Sequence, residues 1–270
     1  MYILYIMKTL HIKNPFGAPV YHEETVSSTM EIARVLAKKD EPHGAVICAD
    51  FQEAGRGRLR RLWVTERGKN LLFTILLRYE DASSIPDVLT LRTGLAVSLA
   101  IEDLFPSLQG LVQVKWPNDV MIRAGKAQAA FKAAGILAEG DGKTVYIGVG
   151  VNVAQRDFPE ICRSKAGSII QAFPDLPQSA RFDLLEKILL RLYGEIEGPE
   201  APCSASTWRE RLIQRLYKRG EQVSFVPGAA DSDDLVEGLL SGLGPGGELL
   251  IIPRGEKTEQ AFVTGELKVY

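Results

Sequence analysis

The segment AAGILAEGDGKTVYIGVGVNV, residues 133–153, predicts two neighbouring antiparallel strands. Its two runs of apolar and β-branched residues lie on either side of Asp141 and Gly142. An Asp-Gly pair between such runs is a strong signal for a tight hairpin turn. The hairpin therefore marks the middle of a predicted sheet.

Strands and helices interleave around this hairpin without a strict strand-helix-strand order. Apolar runs predict buried strands at 44–52 and 70–79, and 111–120 alternates into a strand that Pro117 cuts short. Ser28 followed by Glu31 is a capping box that begins a helix. Helical spacing extends over 28–39, 88–105, 180–197 and 206–219. We predict an α+β fold with a mixed sheet and flanking helices.

Beyond Gly220 the pattern changes to short strands separated by glycine and proline turns, at 221–226, 235–243, 247–252 and 261–270. A chain of 270 residues is long enough for one large domain with a small appendage. We predict a catalytic domain at 1–218 and a small β domain at 219–270.

Composition limits the possible partners and compartments. A formal net charge of -2 argues against general nucleic-acid binding, so any basic site must be local. The cysteines Cys48, Cys162 and Cys203 have no metal-ligand spacing and predict free thiols in a reducing compartment. The apolar start, MYILYIM, is too short for a membrane span and lacks the features of a targeting segment. We expect a cytoplasmic protein without a membrane anchor, whose natural start is Met1 or Met7.

The basic stretch GRGRLRRLW, residues 55–63, is the first candidate site. A charge run is usually a solvated surface, but Gly55 and Gly57 allow the backbone to approach a ligand closely. Arginine also suits forked recognition of carboxylate or phosphate. A dinucleotide fingerprint fails because Arg60 replaces its third glycine, and no GK[ST] completes a Walker motif.

Three further segments carry polar groups at the ends of predicted strands. KWPND, residues 115–119, offers a point cation for phosphate and hard oxygens for Mg²⁺, although Lys115 beside Asp119 is often only a surface pair. Lys132 precedes a strand in which Gly135 permits close approach of a ligand, but a lone lysine is normally solvated. Asn152 and Arg156 follow a strand in which two glycines expose the backbone. The same glycines are equally consistent with a weakened core strand that has no binding role.

In the order SST, GRGR with its tryptophan, KWPND, KAAGIL and GVNV, these segments span most of residues 25–156 and resemble the biotin protein ligase family. The resemblance includes the trailing helices and the C-terminal β region. It implies a sheet akin to that of class II aminoacyl-tRNA synthetases, an SH3-like C-terminal barrel and a two-step, ATP-dependent transfer of biotin. The implied acceptor is a biotin carboxyl carrier protein or domain, the implied metal is Mg²⁺, and family members often form homodimers.

The resemblance also implies roles for individual residues. The expected biotin pocket comprises Ser28, Thr29, Gln52, Gly55, Arg56, Lys132, Gly135, Ile136 and Leu137. The expected ATP contacts are Arg58, Arg61, Trp63, Lys115, Asn118, Asn152 and Arg156. Asn70 and Asp119 are the expected metal-site positions, and Lys132, Arg58 and Lys115 are the expected catalytic residues.

This sequence departs from the family pattern at three places. Met30 stands where asparagine is frequent, and Arg60 stands where glycine is common. The segment RAGKAQAAF, residues 123–131, lengthens the gap after Asp119 and makes Lys126 a competitor of Lys132. The residues before Thr25 are too few for a helix-turn-helix, which leads us to expect a monofunctional ligase that does not bind DNA.

Two alternatives remain open from the sequence. A lipoate or octanoyl transferase of related fold would use another acyl substrate, but it would lack the GRGR loop and KWPND. A non-enzymatic nucleotide or RNA binder would use the basic loop and the β appendage. The net charge and the absence of aromatics along a basic strand argue against that second alternative.

Overall fold

A computed structural model describes residues 7–123, 130–163, 165–197, 205–228 and 234–268. The helices in these ranges are α1 Thr29–Ala37, α2 Leu89–Leu104, α3 Glu160–Arg163, α4 Ile169–Ala172, α5 Ala180–Ile196 and α6 Ala205–Gln214. The strands of the first sheet are β1 Lys8–Leu10, β2 Val20–Glu23, β3 Ala45–Ala49, β4 Leu71–Arg78, β5 Val112–Lys115, β6 Asp119–Ile122, β7 Phe131–Asp141 and β8 Thr144–Val151. Those of the second are β9 Gln222–Pro227, β10 Val236–Leu243, β11 Leu249–Pro253, β12 Gln260–Phe262 and β13 Gly265–Leu267.

The first sheet is mixed, with the strand order β1-β2-β3-β4-β8-β7-β6-β5. β2 and β3 pair in parallel, and the other neighbouring strands pair antiparallel. The predicted hairpin is confirmed as β7 and β8, and the glycine of its turn, Gly142, has a φ of 79°. The predicted mixed sheet with flanking helices is therefore confirmed.

Alternate residues of the strands separate two faces of this sheet. Val46 and Cys48 of β3 belong to the core that α2 and α5 cover, whereas Ala45 and Ile47 belong to the core beneath α1. The stretch 82–104, which contains α2, is apolar and long enough to cross a membrane by composition alone. However, 61% of its most apolar window is buried inside the protein, as in the core helix of a globular fold.

Helix α1 begins where the sequence predicts, but the predicted capping box does not form. The hydroxyl of Ser28 accepts from the backbone N–H of Met30 at 3.3 Å. The carboxylate of Glu31 pairs with Arg56 instead. The first turn of α1 is thereby tied to the basic loop.

Two boundaries differ from prediction because tertiary pairing overrides local pattern. Pro117 ends β5 as predicted, but the chain then reverses and 119–122 return as β6, which the sequence does not predict. Helix α6 ends at Gln214 rather than at 219. Beyond its end, Leu216 pairs with Val114 at the edge of the first sheet.

The C-terminal strands form a separate antiparallel sheet in the order β12-β11-β10-β9-β13. The predicted final strand is in fact two strands, because the chain bends at 263–264 and Gly265 takes a φ of 148°. Trp116 links the two sheets, since its indole Nε1 donates to the carbonyl oxygen of Gly247 at 3.0 Å. The division of the chain into domains at 218/219 stays a prediction.

Candidate active site

A cavity of about 890 Å³ opens on the α1 side of the first sheet, and its size is typical of a small-molecule site. The start of α1, the basic loop, the β5–β6 turn, β7 and β8, and the end of the C-terminal sheet surround it. The predicted site residues that line it are Ser28, Thr29, Gln52, Arg56, Arg58, Arg61, Trp63, Lys115, Asn118, Asp119, Lys132, Gly135, Ile136, Leu137 and Asn152. Gly55, Asn70 and Arg156 do not line it.

One end of the cavity carries a short hydrogen-bond chain. Thr74 donates its hydroxyl hydrogen to Thr29 Oγ1 at 2.9 Å, and Thr29 donates in turn to Gln52 Oε1 at 3.1 Å. The backbone N–H of Thr29 also donates to Gln52 Oε1, at 2.8 Å. Because a backbone N–H can only donate, this contact fixes which amide atom of Gln52 faces it. The Nε2 of Gln52 is left to donate to a ligand.

Met30 gives the same end an apolar wall. Its side chain is buried, and its methyl carbon lies 3.0 Å from the place that a Cβ on Gly148 would occupy. A ligand that fills this end therefore meets a hydrogen-bond donor on one side and a thioether on the other.

The basic loop is a small ribbon with defined backbone contacts. Trp63 N–H donates to Gly55 O at 2.9 Å, and Gly57 N–H donates to Arg61 O at 2.8 Å. The turn between them is a 3-10 segment, Arg58–Arg60. These contacts close the loop on itself and direct several arginines toward the cavity.

Arg60 occupies the tip of this turn with a φ of 56°, and Leu59 before it has a φ of 55°. Both values lie in the left-handed region, which glycine adopts without steric cost. Arg60 is exposed and does not line the cavity. The structure thus gives a backbone reason for the glycine that is common at this position and does not place the Arg60 guanidinium among the cavity cations.

Trp63 lies flat against two glycines on neighbouring strands. Gly135 and Gly150 are directly paired across β7 and β8, and a Cβ on them would lie 2.9 and 2.5 Å from the indole ring. Lys132 Nζ lies 5.3 Å from the ring centroid, which is within the range of a cation-π contact. A side chain at either glycine would displace the ring.

Asp119 holds two lysines together on the cavity wall. Its Oδ1 lies 2.6 Å from Lys132 Nζ and its Oδ2 lies 3.9 Å from Lys115 Nζ. Lys115 is only 7% exposed, and this burial lowers the pKa of its ammonium, although Asp119 and Glu266 oppose the shift. Arg58 donates to Asn118 Oδ1 at 3.3 Å and stands beside the same group.

Two arginines of the loop already have carboxylate partners. Arg56 pairs with Glu31 of α1. Arg61 forms a forked pair with Glu266 of β13, with N–O distances of 2.9 and 2.7 Å. The hydrogen bond from Arg61 also lowers the pKa of the Glu266 carboxyl, against the effect of its partial burial. The C-terminal sheet therefore reaches the cavity through an ion pair to the basic loop.

The remaining predicted residues have mainly structural surroundings. Asn152 lines the cavity, but its side-chain amide donates to Gly167 O at 3.0 Å. Asn70 is fully buried, donates to Gln155 and accepts from the N–H of Val153. Because both amide atoms of Asn70 have protein partners, its metal role stays a prediction without geometric support. Arg156 is exposed, and Lys126 lies outside the described residues.

Sequence reasoning missed several cavity residues. Thr74 and Gly148 are ordinary strand positions without a motif, although the alternating glycines around Gly148 were a visible signal. Glu266 and Lys268 reach the cavity only because the second sheet packs beside the first. Lys165 also lines the cavity, and nothing in its local sequence distinguishes it from a solvated lysine.

Comparison with known proteins identifies relatives of this chain by sequence and by structure. A sequence profile of the biotin/lipoate A/B protein ligase family matches residues 23–152. The bifunctional ligase/repressor BirA of Bacillus subtilis is 36% identical over 160 residues, which are 57% of this chain and 46% of that protein. The chain thus spans about half the length of this relative.

Two further relatives match over most of their length. The biotin--[acetyl-CoA-carboxylase] ligase of Mycobacterium tuberculosis is 32% identical over 245 residues, 86% of this chain and 85% of that protein. The structure of the biotin protein ligase from Aquifex aeolicus in complex with biotin and ATP superposes with a TM-score of 0.72 at 26% identity, covering 92% of this chain and 97% of that one.

Proposed function

The chain belongs to the biotin protein ligase family, and from this premise we propose that it is an ATP-dependent ligase. It activates biotin as biotinyl-5'-AMP and transfers the biotinyl group to a specific lysine of a biotin carboxyl carrier domain. A relative of the same family was solved with biotin and ATP, and another with biotinyl-5-AMP.

The observation that carries the proposal is the order of groups along the cavity. At one end, Gln52 Nε2 is free to donate to a ring carbonyl, and Met30 offers apolar contact to the rest of the ring. Farther along, Lys132, Lys115 and Arg58 form a cationic group. Biotin has a ureido carbonyl, an apolar ring body and a carboxylate in this same order.

The cationic group suits the first chemical step. There the carboxylate oxygen attacks the α-phosphorus of ATP, the bond to the β-phosphate breaks, and pyrophosphate leaves. Attack of an anion on an anion is opposed by charge repulsion, and one unit pair at about 4 Å and an effective dielectric near 20 is worth roughly 4 kcal/mol. Lys132, Lys115 and Arg58, held in advance by protein partners, stabilise the charge that develops.

The residues present fit one part of the expected metal site. Mg²⁺ in nucleotide sites commonly uses one or two carboxylates besides the phosphates, and Asp119 supplies a cavity carboxylate. Asn70 does not line the cavity and both its amide atoms have protein partners, so its metal role stays a prediction. Bound Mg²⁺ would neutralise phosphate charge during the first step.

The second step transfers the acyl group to a protein amine. The acceptor lysine attacks the acyl carbon, the bond to the phosphate oxygen breaks, and AMP leaves. The basic loop and Trp63 cover the cavity and limit the access of water to the mixed anhydride.

The finer expectations stay part of this proposal. The first sheet and its helices are expected to be akin to class II aminoacyl-tRNA synthetases, and the second sheet to an SH3-like barrel. We also propose a cytoplasmic enzyme without DNA binding, which forms a homodimer as family members often do.

Pyrophosphate exchange tests the function directly. The protein with ATP and Mg²⁺ should catalyse exchange of labelled pyrophosphate when biotin is added, and then label an isolated carrier domain. The parallel reaction with lipoate should give no exchange. The control, Lys132→Ala, should keep the fold by circular dichroism and lose exchange, because its ammonium no longer stabilises the reacting anions. Exchange with lipoate but not with biotin would refute the proposal.

A further inference from the structure

Lys165 lies on the cavity wall between α3 and α4, outside every motif in the sequence. Its carbonyl oxygen accepts from the N–H of Lys132 at 2.7 Å, and its own N–H donates to Cys162 O at 2.9 Å. The next two residues are also held by β7. Ala166 forms a bridge with Lys132, and Gly167 N–H donates to Lys132 O at 3.1 Å. The backbone of Lys165 is therefore fixed beside Lys132.

The cations that line the cavity differ in whether a carboxylate already neutralises them. Arg56, Arg61, Lys115 and Lys132 each have a carboxylate partner. Among the described residues, Lys165 has no carboxylate within ion-pair distance. Arg58 and Lys268 have none either, but Arg58 donates to Asn118, and Glu266 is close enough for Lys268 to help lower its pKa.

The charge of Lys165 acts on the same cluster of lysines. The pKa of Lys115 is lowered mainly by burial, and the positive charges of Lys132 and Lys165 lower it further. Asp119 has one oxygen toward each of Lys115 and Lys132. Asp119 is thus already paired with two lysines, and the charge of Lys165 beside them adds positive charge for an anionic ligand.

From this geometry we infer that Lys165 binds the phosphate groups of ATP and is a further nucleotide-binding residue of this enzyme. The inference rests on the proposed function, because it takes ATP as the anion. A lysine ammonium binds phosphate oxygens as a point charge with freely turning donors. The exposed position of Lys165 at the mouth of the cavity makes its contribution smaller than that of buried Lys115.

The test compares Lys165→Met with the parent in pyrophosphate exchange at low ionic strength. The KM for ATP should rise about fivefold, which corresponds to about 1 kcal/mol. The KM for biotin and kcat should stay within about twofold, since the lost charge does not contact biotin. High salt should reduce the difference, because ions screen an exposed charge.

Two variants serve as matched controls. Lys165→Arg keeps the positive charge and should restore the parent KM for ATP. Lys143→Met makes the same change at an exposed lysine in the β7–β8 turn, outside the cavity, and should leave every constant unchanged. If Lys165→Met does not fold, Lys165→Gln replaces it.

Several outcomes would overturn the inference. These are an unchanged KM for ATP in Lys165→Met, an equal rise in Lys143→Met, or an equal rise in the KM for biotin. Calorimetric titration of ATP into the parent and Lys165→Met separates this result from the proposed function. If biotin supports no exchange but ATP binds the parent more tightly than Lys165→Met, only the proposed function fails.

Discussion

Arg60 departs from the family pattern and strains the backbone at the same time. Its left-handed φ of 56° is a conformation that glycine adopts freely and that a Cβ makes costly. In the sequence, Arg60 is a departure from the family pattern at a position where glycine is common. The structure shows an exposed side chain away from the cavity, so the irregularity concerns the backbone.

The first prediction compares two substitutions at Arg60. Arg60→Gly should be more stable to urea than Arg60→Ala by about 0.5–1 kcal/mol, because alanine keeps the left-handed strain and glycine loses it at some cost in chain entropy. Comparison with alanine removes the effect of the lost charge, since both variants lack it. Equal stability of the two variants would show that the turn relaxes around a side chain.

The roles of individual residues were predictable only for residues that belong to a recognisable sequence motif. The GRGR, KWPND and KAAGIL segments carried most of the predicted residues that line the cavity. Thr74 and Lys165 reach it through strand register and backbone pairing, which no local pattern records. Asn70 lies in the expected segment, yet its amide serves Gln155 and Val153.

Secondary structure was predictable where hydrophobic pattern and tertiary environment agree. The β7–β8 hairpin and helices α2 and α5 follow their periodicity closely. Strand β6 and the early end of α6 were not predictable, because their boundaries depend on pairing with distant segments. Val114 pairs with both Val120 and Leu216, and neither contact is visible in the sequence around it.

One contact between elements should make stability depend on pH. His43 lies just before β3, and its Nε2 is 2.7 Å from Oε1 of Glu197, which follows α5. The hydrogen bond to Glu197 raises the pKa of His43 above 6.5, although burial opposes this rise. A raised histidine pKa gives stability that is fully present below the unfolded pKa and lost as pH rises through the folded pKa. The parent should therefore gain stability over His43→Gln as pH falls from about 8 to 6.

Thermal unfolding of the two proteins across this pH range measures the effect. His11→Gln is the control, because His11 is an exposed histidine on the N-terminal side of the sheet. The difference in Tm between the parent and His43→Gln should widen at low pH, and that between the parent and His11→Gln should stay constant. A constant difference for His43→Gln would contradict the assigned pair.

At the scale of the whole molecule, the two sheets contribute to one cavity. The division between a large mixed sheet and a small antiparallel one was predictable from the change in pattern near Gly220. The packing of the two sheets was not predictable from the sequence. The contacts of Trp116 with Gly247 and of Arg61 with Glu266 form only in the folded chain. The forked pair between Arg61 and Glu266 makes the C-terminal sheet a support for the basic loop.

Glu266→Gln should weaken this support. The variant keeps the size of the side chain and removes the charge that pairs with Arg61, so the loop should open more often and trypsin should cut at its arginines faster. Glu237→Gln is the matched control, since Glu237 forms an exposed pair with Arg254 in the C-terminal sheet. Mass spectrometry of the early fragments would locate the cuts, and equal rates in the three proteins would refute the supporting role.

The paired glycines beneath Trp63 have a consequence for how this site can change over time. Gly135 faces Gly150 only because β7 and β8 are aligned in one register, and the next pair along is Ile136 with Val149. A slip of either strand by one residue would replace the flat patch with branched side chains. The space for the aromatic ring thus depends on the absence of a Cβ atom on both strands at once. An insertion or deletion in one strand near the site therefore requires a matching change in the other strand.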